Sequence, residues 1–279
     1  MNTIKRWYVS LYFTAMFALS GWGIFQIFNT GSVLPWTALA FTALPGAILV
    51  SVFFLGSVAR TTKHIPTVQI PMWLALLVTA ATAESSNTVA IGMGAVAGTL
   101  LYIYWYSSLG RAKNNAVVVG KPLPGIELEG PNQSVVTNTD FAGKPALLMF
   151  YRGNWCPLCM AQIKEIAELY KELDRRGVQV AMISPQSHDN TESLAKKFDV
   201  PFKFLVDRDN RVANTLEIIH KNGVPVGMLG YDSDAPYPTI IILDAEGKVA
   251  FADMTDNYRV RPEPDTFLKI IDEKGLAAA

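Results

Sequence analysis

Cysteine and histidine are scarce in this chain, which has only two and three of them among its 279 residues. The two cysteines, Cys156 and Cys159, form a single C-x-x-C. A zinc site takes about four nitrogen or sulfur ligands, and His64, His188 and His220 all lie far from the pair in sequence. The shortage argues against a bound metal. It leaves a redox-active pair, or two buried structural cysteines, as the main interpretations.

Charged residues are absent from Trp7 to Ala59, and no water-soluble globular segment tolerates such a run. The hydropathy pattern predicts four transmembrane spans, each near the roughly 20 residues that a helix needs to cross a bilayer. The spans lie at about residues 7–28, 33–58, 65–83 and 88–106. Because further spans follow the first one, it is not expected to be a cleaved signal peptide. We therefore expect residues 1–113 to form an all-α transmembrane domain.

Acidic residues are nearly missing from this half, where Glu84 stands alone against six basic residues. The basic residues form three clusters at span ends, at Lys5 and Arg6, Arg60 and Lys63, and Arg111 and Lys113. The positive-inside rule places all three clusters in the cytoplasm. It predicts a multi-pass protein of the cell membrane whose second half is cytoplasmic. The alternative, an extracytoplasmic second half, follows if the third span, which Pro66 and Pro71 shorten, does not cross.

The predicted spans also lack residues that carry chemistry, with no cysteine, no histidine and no charge at mid-span. This argues against a haem, proton or ion path. We interpret the spans as an anchor in the lipid bilayer, with a quinone or lipid pocket left open. Gly94 and Gly98 form a G-x-x-x-G, which favours packing within the bundle over a homodimer face. The basic residues form no patch, so nucleic-acid binding is not expected.

The C-x-x-C lies between two contrasting patterns. The apolar run Ala146–Tyr151 before it predicts a buried parallel strand. Apolar residues at helical spacing follow it as far as Arg176, and Pro157 suits a first helical turn. The cysteines are therefore expected where a strand ends and a helix begins. There the free N–H groups and the helix dipole favour a thiolate, so the sequence predicts thiol–disulfide chemistry.

The remainder of residues 114–279 alternates strand and helix patterns. A hairpin is expected over residues 126–136, and further strands at 178–184, 202–206, 239–243 and 248–253. Helices are expected at 190–199, 212–218 and 265–273. This order predicts an α/β thioredoxin-like domain, with helices on both faces of a mixed sheet.

Three stretches resemble the peroxiredoxin-like redoxins, that is, the alkyl hydroperoxide reductase/thiol-specific antioxidant family of the thioredoxin superfamily. They are FYRGNWCPLC, VAMISPQSHDNTESLAKKFDVPFKFLVDRDNRVANTLEI and YPTIIILDAEGKVAF. The resemblance covers about residues 117–275. It implies an antioxidant-type oxidoreductase without a prosthetic group, acting on a disulfide or peroxide substrate. Because the chain has no third cysteine, an external thioredoxin- or glutathione-like thiol would have to reduce it again.

The resemblance to peroxiredoxins and the resemblance to thioredoxins assign opposite roles to the two cysteines. In the peroxiredoxin motif P-x-x-x-T/S-x-x-C, Arg152 takes the place of the proline, Cys156 that of the threonine and Cys159 that of the peroxidatic cysteine. In the thioredoxin alignment Cys156 attacks and Cys159 resolves, with a redox-active Cys156–Cys159 disulfide. The physical argument favours Cys156, because it lies nearer the helix start and is expected to be more exposed.

Other residues are assigned supporting roles with open alternatives. Trp155 packs beside the disulfide or simply in the core. Arg152 stabilises a thiolate or binds an acidic substrate group, unless it is a solvated loop arginine. Pro238 and Thr239 resemble the cis-Pro-Thr that faces the active site in thioredoxins. Whether Arg259 or Arg261 turns toward the site is left open.

The leading hypothesis is a membrane-anchored thiol–disulfide oxidoreductase of peroxiredoxin-like type. A thiol peroxidase is the alternative within the same class. A redox-sensing module without turnover is the alternative from another class, and a small transporter with an appended redoxin is a weaker one.

Overall fold

The computed structural model describes residues 2–56 and 58–277. Four apolar helices come first, as expected from the long runs without charge. They are α1 (Asn2–Thr30), α2 (Val33–Leu55), α3 (Pro66–Thr82) and α4 (Ser86–Leu100). A π-helical turn, Leu101–Tyr106, extends α4. Three of these helices are long and apolar enough to span a membrane, namely α1, α2 and α4 with its extension.

The short helix is α3, which corresponds to the weakest of the predicted spans. Its 17 residues rise about 25 Å, less than the roughly 30 Å of a bilayer core. Ile65 has a left-handed backbone (φ 46°) and Pro66 opens the helix, so no turn can be added at this end. At the end of the predicted second span, Ser57 lies outside the described residues, as do Met1, Ala278 and Ala279 at the predicted domain ends.

The second half contains a seven-stranded mixed sheet in the order β2-β1-β5-β4-β3-β8-β9. The strands are β1 (Glu127–Glu129), β2 (Val135–Thr137), β3 (Ala146–Phe150), β4 (Gln179–Ser184), β5 (Lys203–Val206), β8 (Thr239–Leu243) and β9 (Val249–Asp253). Strands β3, β4 and β5 are parallel, and β8 runs antiparallel to β3. The helices are α5 (Pro157–Glu168), α6 (Tyr170–Arg175), α7 (His188–Phe198), α8 (Arg211–Thr215) and α9 (Pro264–Glu273). The expected thioredoxin-like fold is confirmed.

The cysteine pair lies on one face of this sheet, for a reason that begins in β3. Successive strand residues point to opposite faces, so Leu148 and Phe150 pack on one side and Leu147 and Met149 on the other. The second side holds both cysteines, α5 and α9. The C-x-x-C is thus built on the most buried strand of the sheet.

Two details differ from the expected elements. The single helix expected after the cysteines breaks at Leu169 (φ −86°, ψ 3°), so α5 and α6 are separate. A two-stranded sheet of β6 (Ile219–His220) and β7 (Ala235–Pro236) was not expected. Strands of two residues are too short to show the alternation that predicts a strand.

The helical half and the second half share a third hydrophobic core. Phe53 of α2 and Tyr102 pack there with Leu158 of α5 and Tyr258. The hydroxyl groups of Tyr102 and Tyr258 are hydrogen-bonded to each other. Helix α5 is therefore packed directly against the ends of the apolar helices.

Arg259 lies fully buried in the same junction, with 0% of its surface exposed. Its guanidinium donates to Ser107 Oγ at 2.7 Å and to Thr61 Oγ1 at 2.6 Å. It also donates to three backbone carbonyls, at Thr62, Lys63 and Ile103. One side chain thus connects the second half to two places in the helical half, the segment before α3 and the end of the extension of α4.

The basic residues at the helix ends all lie toward the second half. Lys5 donates to the Ser108 carbonyl, Arg6 to the Val224 carbonyl and Arg111 to Thr239 Oγ1. Arg60 forms an ion pair with Glu165 of α5. The three basic clusters and the second half are therefore on one side of the helices, and which side of a membrane this is stays a prediction.

The G-x-x-x-G of α4 packs in part within the bundle. A Cβ on Gly98 would lie 3.3 Å from the Tyr12 ring, and the Tyr8 hydroxyl donates to the Gly98 carbonyl. No heavy atom of the described residues lies within 4 Å of the Cβ position of Gly94. Gly98 thus serves close packing of α1 and α4, and a homodimer through the spans stays a prediction.

Candidate active site

The site begins at the end of β3, where Tyr151 N–H still donates to the Ile183 carbonyl of β4. The chain then turns through Gly153, whose φ of 132° is accessible to glycine. A Cβ there would lie 2.9 Å from the rings of both Trp155 and Tyr231. Cys156 is the N-cap residue of α5, and Pro157 is its first helical residue. The expected strand–turn–helix context is confirmed.

Cys156 and Cys159 are joined in a disulfide. Cys156 exposes 2% of its surface and Cys159 exposes 0%, so exposure hardly distinguishes them. Cys156 is the more exposed of the two only by this narrow margin, because residues of the apolar helices and Leu158 pack over the start of α5. Whether this disulfide is redox-active in solution stays a prediction.

Arg152 and Trp155 pack together beside the disulfide. The guanidinium carbon lies 4.6 Å from the centre of the Trp155 ring, and Trp155 Nε1 donates to the Arg152 carbonyl at 3.1 Å. Arg152 is only 4% exposed, so it is not a solvated loop arginine. Its Nη2 donates to the Gly223 carbonyl, while Nε has no partner among the described residues. Burial lowers the pKa of Arg152 from its usual value.

A polar network holds the loop from the other side. Gln186, which follows β4, accepts from Asn154 N–H at 2.9 Å and donates to the Tyr151 hydroxyl at 3.0 Å. Asn154 Nδ2 donates to the Asn190 carbonyl. Sequence reasoning missed Gln186. The available signal was its place just beyond a parallel strand neighbouring β3, since the carboxyl ends of such strands meet at one sheet edge.

Arg261 is a second buried cation at the pair, and its Nη2 lies 3.6 Å from Cys159 Sγ. Its Nη1 donates to Gln162 Oε1 at 2.7 Å and its Nε to the Tyr258 carbonyl. Burial lowers the pKa of Arg261 to about 9, and the nearby Arg152 adds to this. The group stays cationic at neutral pH, so it faces Cys159 with a positive charge. Of the two arginines left open, Arg261 turns to the site and Arg259 to the membrane half.

Pro238 and Thr239 line a small cavity together with Gln162 and Arg261, and neither cysteine is among its lining residues. The peptide bond before Pro238 is trans, as are all those among the described residues, which differs from the cis-Pro-Thr that this segment resembles. The Pro238 carbonyl and Thr239 Oγ1 accept from Arg111, which fixes this segment from the membrane side. Their predicted role at the active site stays untested.

Cys156, rather than Cys159, lines the cavity that connects the site to the helical half. This cavity measures about 80 Å³, and Pro157, Trp155 and Arg152 line its inner side. The other walls come from α1, α2 and the loop around Met228. Cys159 is not among its lining residues. The two sulfur atoms therefore have different surroundings, an apolar cavity for Cys156 and a guanidinium for Cys159.

The histidines contact residues other than the cysteines. His64 is hydrogen-bonded to Tyr104, His188 pairs with Glu129, and His220 stacks on Tyr237 with ring centres 4.7 Å apart. His220 is buried, and neither ring nitrogen has a partner among the described residues. Burial, aided by neighbouring arginines and Lys5, lowers the pKa of His220 to about 3.

The low pKa of His220 predicts a loss of stability in acid. Between its ordinary pKa of about 6.5 and about 3, only the unfolded state takes up the proton, so stability falls as the pH falls. At about pH 5 this amounts to about 2 kcal/mol. We expect His220→Phe, which keeps the stacking on Tyr237, to remove this part of the loss in thermal unfolding of the detergent-solubilised protein. The exposed His64→Phe is the control, and equal acid sensitivity of parent and His220→Phe would contradict the prediction.

Comparison with known families identifies the second half. The profile of the AhpC/TSA family matches residues 119–252. These residues form an AhpC/TSA redoxin domain. The domain carries the whole sheet and the C-x-x-C, and the apolar helices precede it, consistent with fusion to a membrane domain.

Two relatives represent the two kinds of redoxin. The thiol-disulfide oxidoreductase ResA of Geobacillus thermodenitrificans is 28% identical over 141 residues, 49% of this chain and 70% of its own length. The chloroplastic peroxiredoxin Q of Sedum lineare is 28% identical over 157 residues, 56% of this chain and 78% of its own length. Both are oxidoreductases, and the expectation that this redoxin is an oxidoreductase is confirmed.

AhpC of Enterococcus faecalis is among the solved structures to which this chain is similar. It is 17% identical, has a TM-score of 0.45 and covers 58% of this chain and 99% of its own. A peroxiredoxin-like protein from Aquifex aeolicus is 16% identical with a TM-score of 0.48, covering 56% of this chain and 87% of its own.

Proposed function

We propose that the chain is a membrane-anchored thiol–disulfide oxidoreductase in which Cys156 is the attacking sulfur and Cys159 the resolving one. The observation that carries this proposal is the different placement of the two sulfur atoms. Cys156 is the N-cap residue of α5 and lines the cavity, whereas Cys159 lies behind it. A substrate that enters the cavity meets Cys156 first. The apolar helices α1, α2 and α4 support the anchoring.

The reaction with a disulfide is a two-step exchange. The Cys156 thiolate attacks one substrate sulfur, which breaks the substrate S–S bond and releases the first thiolate. The Cys159 thiolate then attacks Cys156 Sγ, which forms the Cys156–Cys159 bond and releases the second thiolate. Two electrons pass from the enzyme to the substrate. An external thiol reverses both steps, because the sequence holds no third cysteine.

The surroundings favour each thiolate at the step where it is needed. Cys156 lies at the positive end of α5, where the dipole stabilises a negative charge. Cys159 faces the Arg261 guanidinium at 3.6 Å, which stabilises its thiolate for the resolving attack. The disulfide, Arg152 and Arg261 are all buried away from water, so water screens these electrostatic effects only a little.

The Arg261 contact also favours a second candidate, a thiol peroxidase that uses Cys159. Its thiolate would attack the peroxide O–O bond, form a sulfenic acid and release an alcohol or water. Cys156 would then attack the sulfenic sulfur, form the disulfide and release water. The weakness of this candidate is position 156, where Cys156 replaces the threonine of the peroxiredoxin motif.

Trapping of the attacking sulfur tests the two candidates. The full chain is reduced in detergent micelles and mixed with hydroxyethyl disulfide, beside Cys159→Ser and Cys156→Ser. We expect Cys159→Ser to accumulate a mixed disulfide at Cys156, and Cys156→Ser to accumulate none, by mass spectrometry. Fast sulfenic acid formation at Cys159 by hydrogen peroxide, without disulfide exchange, would favour the peroxidase. Slow reaction of the wild type with both oxidants would favour the redox sensor.

A further inference from the structure

The cavity at Cys156 has an unusual set of walls for a redoxin site. Its lining residues come from the segment 152–158, from three helices that can span a membrane (α1, α2 and the extension of α4), and from the loops that hold Met228 and Tyr258. Aromatic rings dominate these walls, at Phe13, Phe53, Tyr106, Trp155 and Tyr258. None of the described lining residues is acidic. The way to Cys156 is therefore apolar and flanked by rings.

The outer rim of this cavity lies on surfaces that face lipid when α1 and α2 cross a bilayer. Phe54 of α2 lines the cavity and is 57% exposed, and Leu55 beside it is 88% exposed. From the loop side, Met228 lines the cavity while the neighbouring Leu229 is 91% exposed. A ligand dissolved in the bilayer thus meets an apolar rim and reaches Cys156 without passing through water.

The inner end of the cavity offers a hydrogen-bond donor to such a ligand. Arg152 lines it, is only 4% exposed and has an Nε without a partner among the described residues. A buried donor without an acceptor is costly, about 1–3 kcal/mol. An oxygen acceptor on the ligand would satisfy it close to the disulfide.

We infer that this cavity admits a membrane quinone, which accepts electrons from the Cys156–Cys159 dithiol. The inference rests on the proposed function, since it requires Cys156 to be the reactive sulfur. A quinone combines an apolar tail, a flat ring that stacks on aromatic side chains and carbonyl oxygens that accept from a guanidinium. The enclosed volume of about 80 Å³ is about half that of an engineered cavity that binds benzene. The enclosed part of the cavity therefore holds only one edge of the ring, and the rest of the ring and the tail lie at the apolar rim.

The electron transfer balances in two steps. The Cys156 thiolate adds to a ring carbon, forming an S–C bond, while a ring oxygen takes the electron pair and one proton. Before the ring becomes aromatic, the Cys159 thiolate attacks Cys156 Sγ, so the S–S bond forms and the S–C bond breaks. The ring leaves with the electron pair, takes a second proton and is released as hydroquinone. The dithiol loses two electrons and two protons, which the quinone gains, and external thiols reduce the disulfide again.

The position of Cys156 favours a quinone over the other oxidants of thiols. A sulfur that is 2% exposed in a cavity lined by α1 and α2 is less accessible to a folded protein disulfide than to a slender molecule. A hydroperoxide would be expected to meet the sulfur at the peroxidatic position, Cys159, which does not line the cavity. The ligand is thus slender, apolar and reactive toward the sulfur at the helix start.

The test is single-turnover oxidation of the reduced full chain by decylubiquinone in detergent micelles. Quinone loss is followed by absorbance, and disulfide formation by thiol alkylation. We expect one hydroquinone per disulfide formed. Met228→Trp, which fills the cavity, should slow the reaction at least tenfold. The matched control is Leu229→Trp, on the next, exposed residue, and it should stay within about twofold of the wild type.

The outcomes separate this inference from the proposed function. Exchange of the wild type with hydroxyethyl disulfide but no reaction with decylubiquinone would overturn the inference and leave the proposed function intact. Reaction with neither would overturn both. Equal quinone rates in Met228→Trp and Leu229→Trp, with both variants melting like the wild type, would overturn the assignment to this cavity. If a lipid hydroperoxide oxidised the protein faster than decylubiquinone does, and did so in Cys156→Ser as well, the oxidant would be a peroxide and the inference of a quinone would be overturned.

Discussion

Replacing Arg259 with methionine should lower the free energy of unfolding by about 3–5 kcal/mol. The guanidinium serves five acceptors at the junction of the two halves, and methionine would leave the two in buried contacts, Ser107 Oγ and the Ile103 carbonyl, without this donor. Each buried acceptor left unpaired costs about 1–3 kcal/mol. The sum is reduced because a cation no longer has to be desolvated. The measurement is thermal or denaturant unfolding of the detergent-solubilised chain.

Two further variants show whether the loss comes from this junction. Arg259→Lys keeps the charge but offers fewer donors in another geometry, so an intermediate loss is expected. Arg211→Met removes an arginine whose side chain is 68% exposed and should change stability by less than about 0.5 kcal/mol. A stability of Arg259→Met within about 1 kcal/mol of the parent would mean that the junction does not hold the halves together.

The second large effect is expected at Arg261, the cation beside Cys159. Without the guanidinium, the buried thiolate loses its nearby positive charge, which typically moves a titration by about one to three pH units. We therefore expect Arg261→Met, in a Cys156→Ser background, to move the midpoint of Cys159 alkylation upward by that amount. In Arg261→Met with both cysteines present, the attack of Cys159 on a mixed disulfide at Cys156 should become about tenfold slower or more at neutral pH.

The controls for Arg261 separate charge from packing. Arg261→Lys keeps a cation near the sulfur and should recover most of the alkylation profile. Arg175→Met, at an arginine whose side chain is 68% exposed, should leave the profile unchanged. An unchanged midpoint in Arg261→Met would show that the 3.6 Å contact does not stabilise the thiolate.

Local patterns in the sequence were sufficient for the elements that build the site. The run Ala146–Phe150, the Cys156–Cys159 spacing and the Pro157 helix start are all adjacent in the chain, and each has a direct physical reason. The hairpin of β8 and β9 was predicted from the Asp244–Gly247 turn for the same reason. Short-range rules of strand, turn and helix therefore locate the disulfide.

The surroundings of the disulfide depend on contacts between distant residues. Arg261 meets Cys159 across 102 residues, and Arg259 meets Ser107 across 152. Nothing in the local pattern distinguishes these two neighbours, although one serves the active site and the other the junction. The burial of Cys156 was missed likewise, because its cover comes from Phe53 and other residues of the membrane half.

The basic residues show how one pattern can have two causes. From the sequence, determinants of membrane orientation are predicted at Lys5, Arg6, Arg60 and Arg111. In the structure Arg6, Arg60 and Arg111 also bond to the second half, and Lys5 donates to the Ser108 carbonyl beyond α4. Their contacts alone would explain their positions, so the cytoplasmic location of the redoxin domain stays a prediction.

The sequence separation of the Arg259 contacts has a consequence for the order of events during synthesis. The ribosome completes the apolar helices and the connections that hold Thr61 and Ser107 long before it reaches Arg259. A nascent chain can therefore insert its helices while the polar groups at their ends still lack this donor. The last step of assembly must be the docking of a nearly finished redoxin domain onto helices already in place. Nascent chains arrested before and after residue 259 should differ sharply in protease resistance at the Arg60–Ile65 connection.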